Sequence, residues 1–113
     1  MATLGELERA IMELLWATGE SLSAYDLIER LPDRRLAPTT MLTVLSRLEK
    51  KGFVARSRDA RPHRYTAAAS REEHMADLMH EVLGGASDRA AVLERFVGQV
   101  SADEAETLRR LLG

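Results

Sequence analysis

The chain contains no cysteine, which excludes disulfides, thiolate metal sites and cysteine nucleophiles. Such usage suits a reducing cytoplasm, the expected location. Aromatic residues make up only 4% of the 113 positions, so a core must come mainly from Leu, Val, Ala and Met, within a hydrophobic content of 45%. No apolar run exceeds four residues, so nothing here suits a membrane-spanning helix. The opening Met1-Ala-Thr-Leu-Gly-Glu-Leu-Glu8 lacks the basic-then-apolar form of a signal peptide. Glycine-rich phosphate loops and nucleophile motifs are missing too. The three histidines, His63, His74 and His80, fall outside metal-ligand spacing and read as surface or interface side chains. No catalysis, metal or cofactor is expected.

Net charge is −2, which at first argues against a nucleic-acid partner, but its distribution reverses the impression. Arg34 to Arg64 holds nine Lys/Arg against two acids, a charge of +7, while the remainder carries −9. A basic block within an acidic protein steers a polyanion to one surface and repels it from the other. Charge alone leaves a merely solvated surface as the alternative.

Helix starts are legible. Thr3–Glu6, Ser23–Asp26, Ser70–Glu73 and Ser101–Glu104 each pair a hydroxyl with an acid three positions on, the form of a capping box. A first helix is expected from about Leu4 to Ala17, with Leu7, Ile11, Leu14 and Leu15 on one face and Gly19 as its stop. Ser21 to Ser23 suits a short edge strand. A second helix, Ala24 to Leu31, ends at Pro32. Pro38 fits a first helical turn, and a third helix runs on to Lys51 with Gly52 beyond it. Phe53 to Ser57 and Arg64 to Ala67 read as strands joined by a turn. Three further amphipathic helices follow Ser70, ending with Ala102 to Leu112. The expected architecture is mainly α with a small β-hairpin wing. A winged helix-turn-helix domain would occupy residues 1–69 and a helical dimerisation region 70–113.

At 100° per residue, Met41, Val44, Leu45 and Leu48 share one face of the third helix. Thr39, Leu42, Thr43, Ser46 and Lys50 lie opposite, with Thr40 and Arg47 on the flank. Short hydroxylated side chains and cations suit a DNA major groove, where Thr meets base edges or thymine methyls and Arg pairs with guanine. Thr39 and Thr40 as simple helix caps remain the plainer alternative. Arg58, Arg61, His63 and Arg64 crowd the hairpin, where charge also serves edge-strand protection. The candidate DNA contacts are Thr39, Thr40, Thr43, Ser46, Arg47, Lys50, Lys51, Arg61, His63 and Arg64. Beyond Ser70, the helices have little chain left to pack against in a monomer. Met75, Leu78, Met79, Val82, Leu93, Phe96, Val97 and Leu108 are the candidate dimerisation residues.

Thr39-Thr-Met-Leu-Thr-Val-Leu-Ser-Arg-Leu-Glu-Lys-Lys-Gly52 resembles the signature of the penicillinase-repressor (BlaI/MecI) family. So do Leu4-Gly-Glu-Leu-Glu-Arg-Ala-Ile-Met-Glu-Leu-Leu-Trp16, the pair Arg64-Tyr65, and the closing Phe96-Val97 and Ser101-Ala-Asp-Glu-Ala-Glu-Thr-Leu108. The resemblance implies a homodimer that binds an inverted-repeat (palindromic) operator in double-stranded DNA and blocks transcription. It also implies release by a cell-wall or β-lactam-linked signal, through proteolysis at an Asn-Phe bond. The matching bond here is Arg95–Phe96, with arginine in place of asparagine. A copper-responsive branch of the family carries cysteines that this chain lacks. The rival readings are a winged-helix adaptor for protein partners, against which the basic block argues, and a DNA-binding protein without sequence preference.

Overall fold

A computed structural model describes residues 4–59 and 61–113. The elements run α1 (Glu6–Thr18), β1 (Leu22–Ser23), α2 (Ala24–Glu29), α3 (Pro38–Lys50), β2 (Val54–Ser57), β3 (Arg64–Ala67), α4 (Arg71–Gly84), α5 (Arg89–Val97) and α6 (Ala102–Leu112). The chain divides into two compact units, one ending at His74 and the other beginning at Met75.

In the first unit, the three strands form one antiparallel sheet in the order β1-β3-β2, with Leu22 opposite Tyr65 and Arg56 opposite Tyr65 on its other side. The core joins Ile11, Met12 and Leu15 of α1 to Leu27 of α2 and Met41, Leu45 and Leu48 of α3. Leu22, Val54 and Tyr65 close it from the sheet. Each such aliphatic side chain contributes about 1.5–3 kcal/mol on burial. The helix-turn-helix and wing expected from the sequence are both present.

Several boundaries differ from expectation. The Thr3 cap lies outside the described residues, and α1 begins at Glu6, where the Gly5 N–H donates to Glu8 Oε1 at 2.8 Å. The buried face of α1 includes Met12 and Glu8, whereas Leu7 and Leu14 only flank the core. α2 stops at Glu29, because Pro32 to Arg34 form a separate 3-10 turn. His74, expected at a surface or interface, is buried between Trp16 and Phe53, with ring centroids 5.3 and 5.0 Å away. Trp16 Nε1 also donates to the Ala69 carbonyl at 3.0 Å, so aromatic packing keeps the chain attached to this unit through His74.

The link from α3 to the wing depends on one residue. Gly52 adopts φ +83°, its N–H donates to Glu49 O at 3.0 Å, and the Phe53 N–H donates to Leu48 O at 2.9 Å. This is the paired closure of a helix by a left-handed residue, which glycine adopts without a Cβ penalty. It reverses the chain into β2.

The second unit contains the rest of α4, with α5 and α6. Asp88 caps α5 by accepting from the Ala91 N–H at 3.1 Å, and Ser101 with Glu104 forms the expected box on α6. No described residue from 75 onward is fully buried.

Gly52→Ala meets no atom within 4 Å, so its cost is conformational alone, about 1–2 kcal/mol for an L-residue forced left-handed. Chemical denaturation should register that loss. A neutral effect would mean that the helix-to-wing turn has other ways to close.

Candidate nucleic-acid interface

Burial of Met41, Val44, Leu45 and Leu48 fixes the rotation of α3. Thr39, Thr40, Leu42, Thr43, Ser46, Arg47 and Lys50 are consequently exposed on its outer side. Thr39, Thr40, Thr43 and Arg47 border one shallow depression over Val44. The Thr43 hydroxyl donates to the Thr39 carbonyl at 2.9 Å, so in this rotamer its oxygen faces a partner as an acceptor.

The basic block is partly neutralised by the protein's own acids. Arg34 pairs with Glu6, and Lys51 Nζ sits 2.9 and 3.0 Å from the two oxygens of Glu8. Arg56 and Arg58 share Glu49, each at 3.4 Å. Arg64 donates to the Ser21 hydroxyl and carbonyl at 2.8 and 2.7 Å and approaches Asp26 at 3.6 Å, fastening β3 to the segment before α2. Among the described residues, Arg47, Lys50 and Arg61 enter no ion pair or side-chain hydrogen bond. Lys51 and Arg64, two of the candidate contacts, therefore have structural partners, while these three cations form no such pair and Arg47 adds only a longer-range attraction to Glu8.

Burial and the neighbouring Arg61, Arg56 and Arg58 lower the His63 pKa from its usual value. A phosphate brought beside it would act in the opposite direction. Burial alone would raise the Glu8 carboxyl pKa. The Gly5 N–H and the Lys51 ammonium more than offset this and hold it below the usual carboxylate range. The sequence reading missed Glu8, since an acid on an otherwise apolar helix face carries no signal until its lysine partner, far along the chain, is located.

Of the candidate dimerisation residues, Leu78, Met79, Val82, Leu93 and Phe96 line one apolar groove between α4 and α5. Met75 and Val97 are exposed outside that lining, and Leu108 is half-buried on α6. The Arg95–Phe96 bond lies in the last turn of α5.

The penicillinase-repressor family model matches residues 4–113. This chain belongs to that family. The transcriptional regulator BlaI of Mycobacterium tuberculosis is 47% identical over 116 residues, covering 99% of this chain and 84% of its own length. An uncharacterised 16.5 kDa protein of Latilactobacillus sakei is 35% identical over 69 residues, covering 60% of this chain and 47% of its own length. Among solved structures, a MarR family protein from Bacillus stearothermophilus superposes with a TM-score of 0.55 at 21% identity, covering 98% of this chain and 71% of that one. The complex structure of hsRosR-S1 gives 0.52 at 20%, covering 93% and 95%. These likenesses support the winged-helix fold. Membership of the penicillinase-repressor family makes the protein a BlaI-like transcriptional regulator and not an enzyme. Among the described residues, no helix is long and apolar enough to cross a membrane.

Lys51→Met would leave the buried Glu8 carboxylate without its ammonium. Because Lys51 is a third exposed, the cost should be about 1–2 kcal/mol in denaturation at neutral pH. The folded-state pKa of Glu8 lies below its ordinary value of 4.5, so its contribution is fully present above that pH and is lost as pH falls through the lowered value. The variant should lose part of this acid-side dependence. An unchanged stability profile would exclude the pair as an anchor of α1 to α3.

Proposed function

We propose that this family member is a sequence-specific DNA-binding repressor. A homodimer would lay two copies of α3 into successive major grooves, about one helical turn apart, on an inverted-repeat operator. Thr40, Thr43 and Arg47 read bases in this reading, with Thr39 and Ser46 beside them, while Lys50 and Arg61 hold phosphates. A phosphate beside His63 would raise its lowered pKa. Lys51 and Arg64 fix the helix and wing, and add phosphate contacts only at the expense of their internal partners. The observation that carries the reading is the outer face of α3, where exposed hydroxyls lie beside cations left out of every ion pair among the described residues.

The second unit supports the dimer. Met79, Val82, Leu93 and Phe96 are each more than 40% exposed along one groove, an apolar surface that a second copy would cover. Release by a cell-wall or β-lactam-linked signal would act on this region. Cleavage at Arg95–Phe96 first requires the end of α5 to unwind, since proteolytic nicking favours exposed loops.

Selection from pooled random duplexes at near-physiological salt tests the reading. Recovery of a two-fold palindrome is the expected outcome. The absence of any enriched motif would favour a protein-interaction adaptor or binding without sequence preference. Arg47→Ala should cost about 1–3 kcal/mol in operator binding and relax one position per half-site. A uniform loss across sequences would reassign Arg47 to phosphate contact. Phe96→Asp should sediment as a monomer, and a persisting dimer would place the interface elsewhere.

A further inference from the structure

A cavity of about 400 Å3 opens in the first unit between the starts of α2 and α3 and the wing. That volume falls within the range of small-molecule sites, about 300–1,000 Å3. Arg56, Arg61 and His63 border it, and among the described residues no acid lines it. Arg56 Nη2 approaches Glu49 at 3.4 Å, but Arg56 Nε is buried without a hydrogen-bond partner among the described residues. Opposite the cations, Tyr25 and Leu42 are 58% and 49% exposed, and Pro62 adds a further apolar wall. A DNA phosphate would use the cations and leave these apolar surfaces uncovered.

We propose that this cavity binds a small organic anion, a carboxylate on an apolar body of one or two rings. The carboxylate takes the Arg61 guanidinium, whose forked donors suit that group, while Arg56 adds positive charge at the cavity wall. The rings cover Tyr25, Leu42 and Pro62. An anion here also relieves the repulsion that three arginines impose on His63, whose pKa burial and those neighbours lower. Arg61 and His63 are among the proposed DNA contacts, so occupancy withdraws them from the backbone. That consequence rests on the DNA-binding reading, whereas the binding site does not.

The test titrates the full chain, without DNA, with 2-naphthoate, neutral 2-naphthamide and inorganic phosphate, following backbone amide NMR shifts. Naphthoate should shift residues 24–25, 42, 56 and 61–65 and bind about tenfold or more tighter than either other probe, the discrimination expected of a charge-assisted hydrogen bond. Arg56→Gln should weaken it by a similar factor. Leu42→Glu, at an exposed position that leaves the core intact, should abolish it by placing a like charge at the mouth. Equal binding of naphthamide, equal binding of phosphate, or unaltered naphthoate binding in both variants would each overturn the proposal. Operator binding measured without naphthoate fails independently, so the two readings can fall separately.

Discussion

The rotation of α3 is the constraint on which the rest of the first unit depends. Met41, Leu45 and Leu48 are wholly removed from solvent, and Val44 nearly so. Turning the helix by one residue's step would expose part of this set and bury Thr40 or Arg47 in its place. Loss of a buried leucine alone costs several times the thermal energy, and burying an unpaired guanidinium costs more. The apolar face therefore decides which side chains point outward, with no contribution from any ligand. Gly52 then ends the helix and reverses the chain, so that the wing follows directly beside that outward face.

Electrostatics refines what packing sets. Counted along the chain, the basic block carries +7, yet Glu6, Glu8 and Asp26 from outside it reach in to Arg34, Lys51 and Arg64. These pairs neutralise cations that hold elements together. Among the described residues of the block, Arg35, Arg47, Lys50 and Arg61 have no such ion pair, and the last three lie on the outer side of α3 and at the wing tip. A field concentrated in this way orients an incoming polyanion more sharply than one spread over nine cations.

Periodicity and capping made most of the fold legible. Pro38, Gly52 and the Ser23 and Ser101 boxes marked their helix ends because each acts within one turn of itself. The short strand at Leu22–Ser23 was also legible, from position alone. Less visible were features that depend on distant partners. Glu8 is tolerated in a buried face only because Lys51 meets it, and His74 is buried only because Trp16 and Phe53 converge on it. The early end of α2 reflects Pro32 together with a 3-10 turn, which helical periodicity does not resolve. At the candidate interface, exposure was legible from helical spacing, whereas the pairing of Lys51 and Arg64 was not, because ion pairs link residues far apart in sequence.

The second unit has the opposite balance. Its helices are well capped but surround no fully buried residue, and its large apolar side chains lie open along the groove between α4 and α5. Capping contributes about 1 kcal/mol per helix end, too little to hold three short helices without a core. In the proposed homodimer, the partner's matching face supplies that core, so folding of this unit and association become one equilibrium. On the proposed inverted-repeat operator, association would in turn make the second half-site contact intramolecular and raise affinity through effective concentration. A signal that destabilises α5 would thereby loosen the dimer and weaken DNA binding without touching the reading helix. Arg95–Phe96 lies inside that helix, so any cleavage there would require local unwinding first.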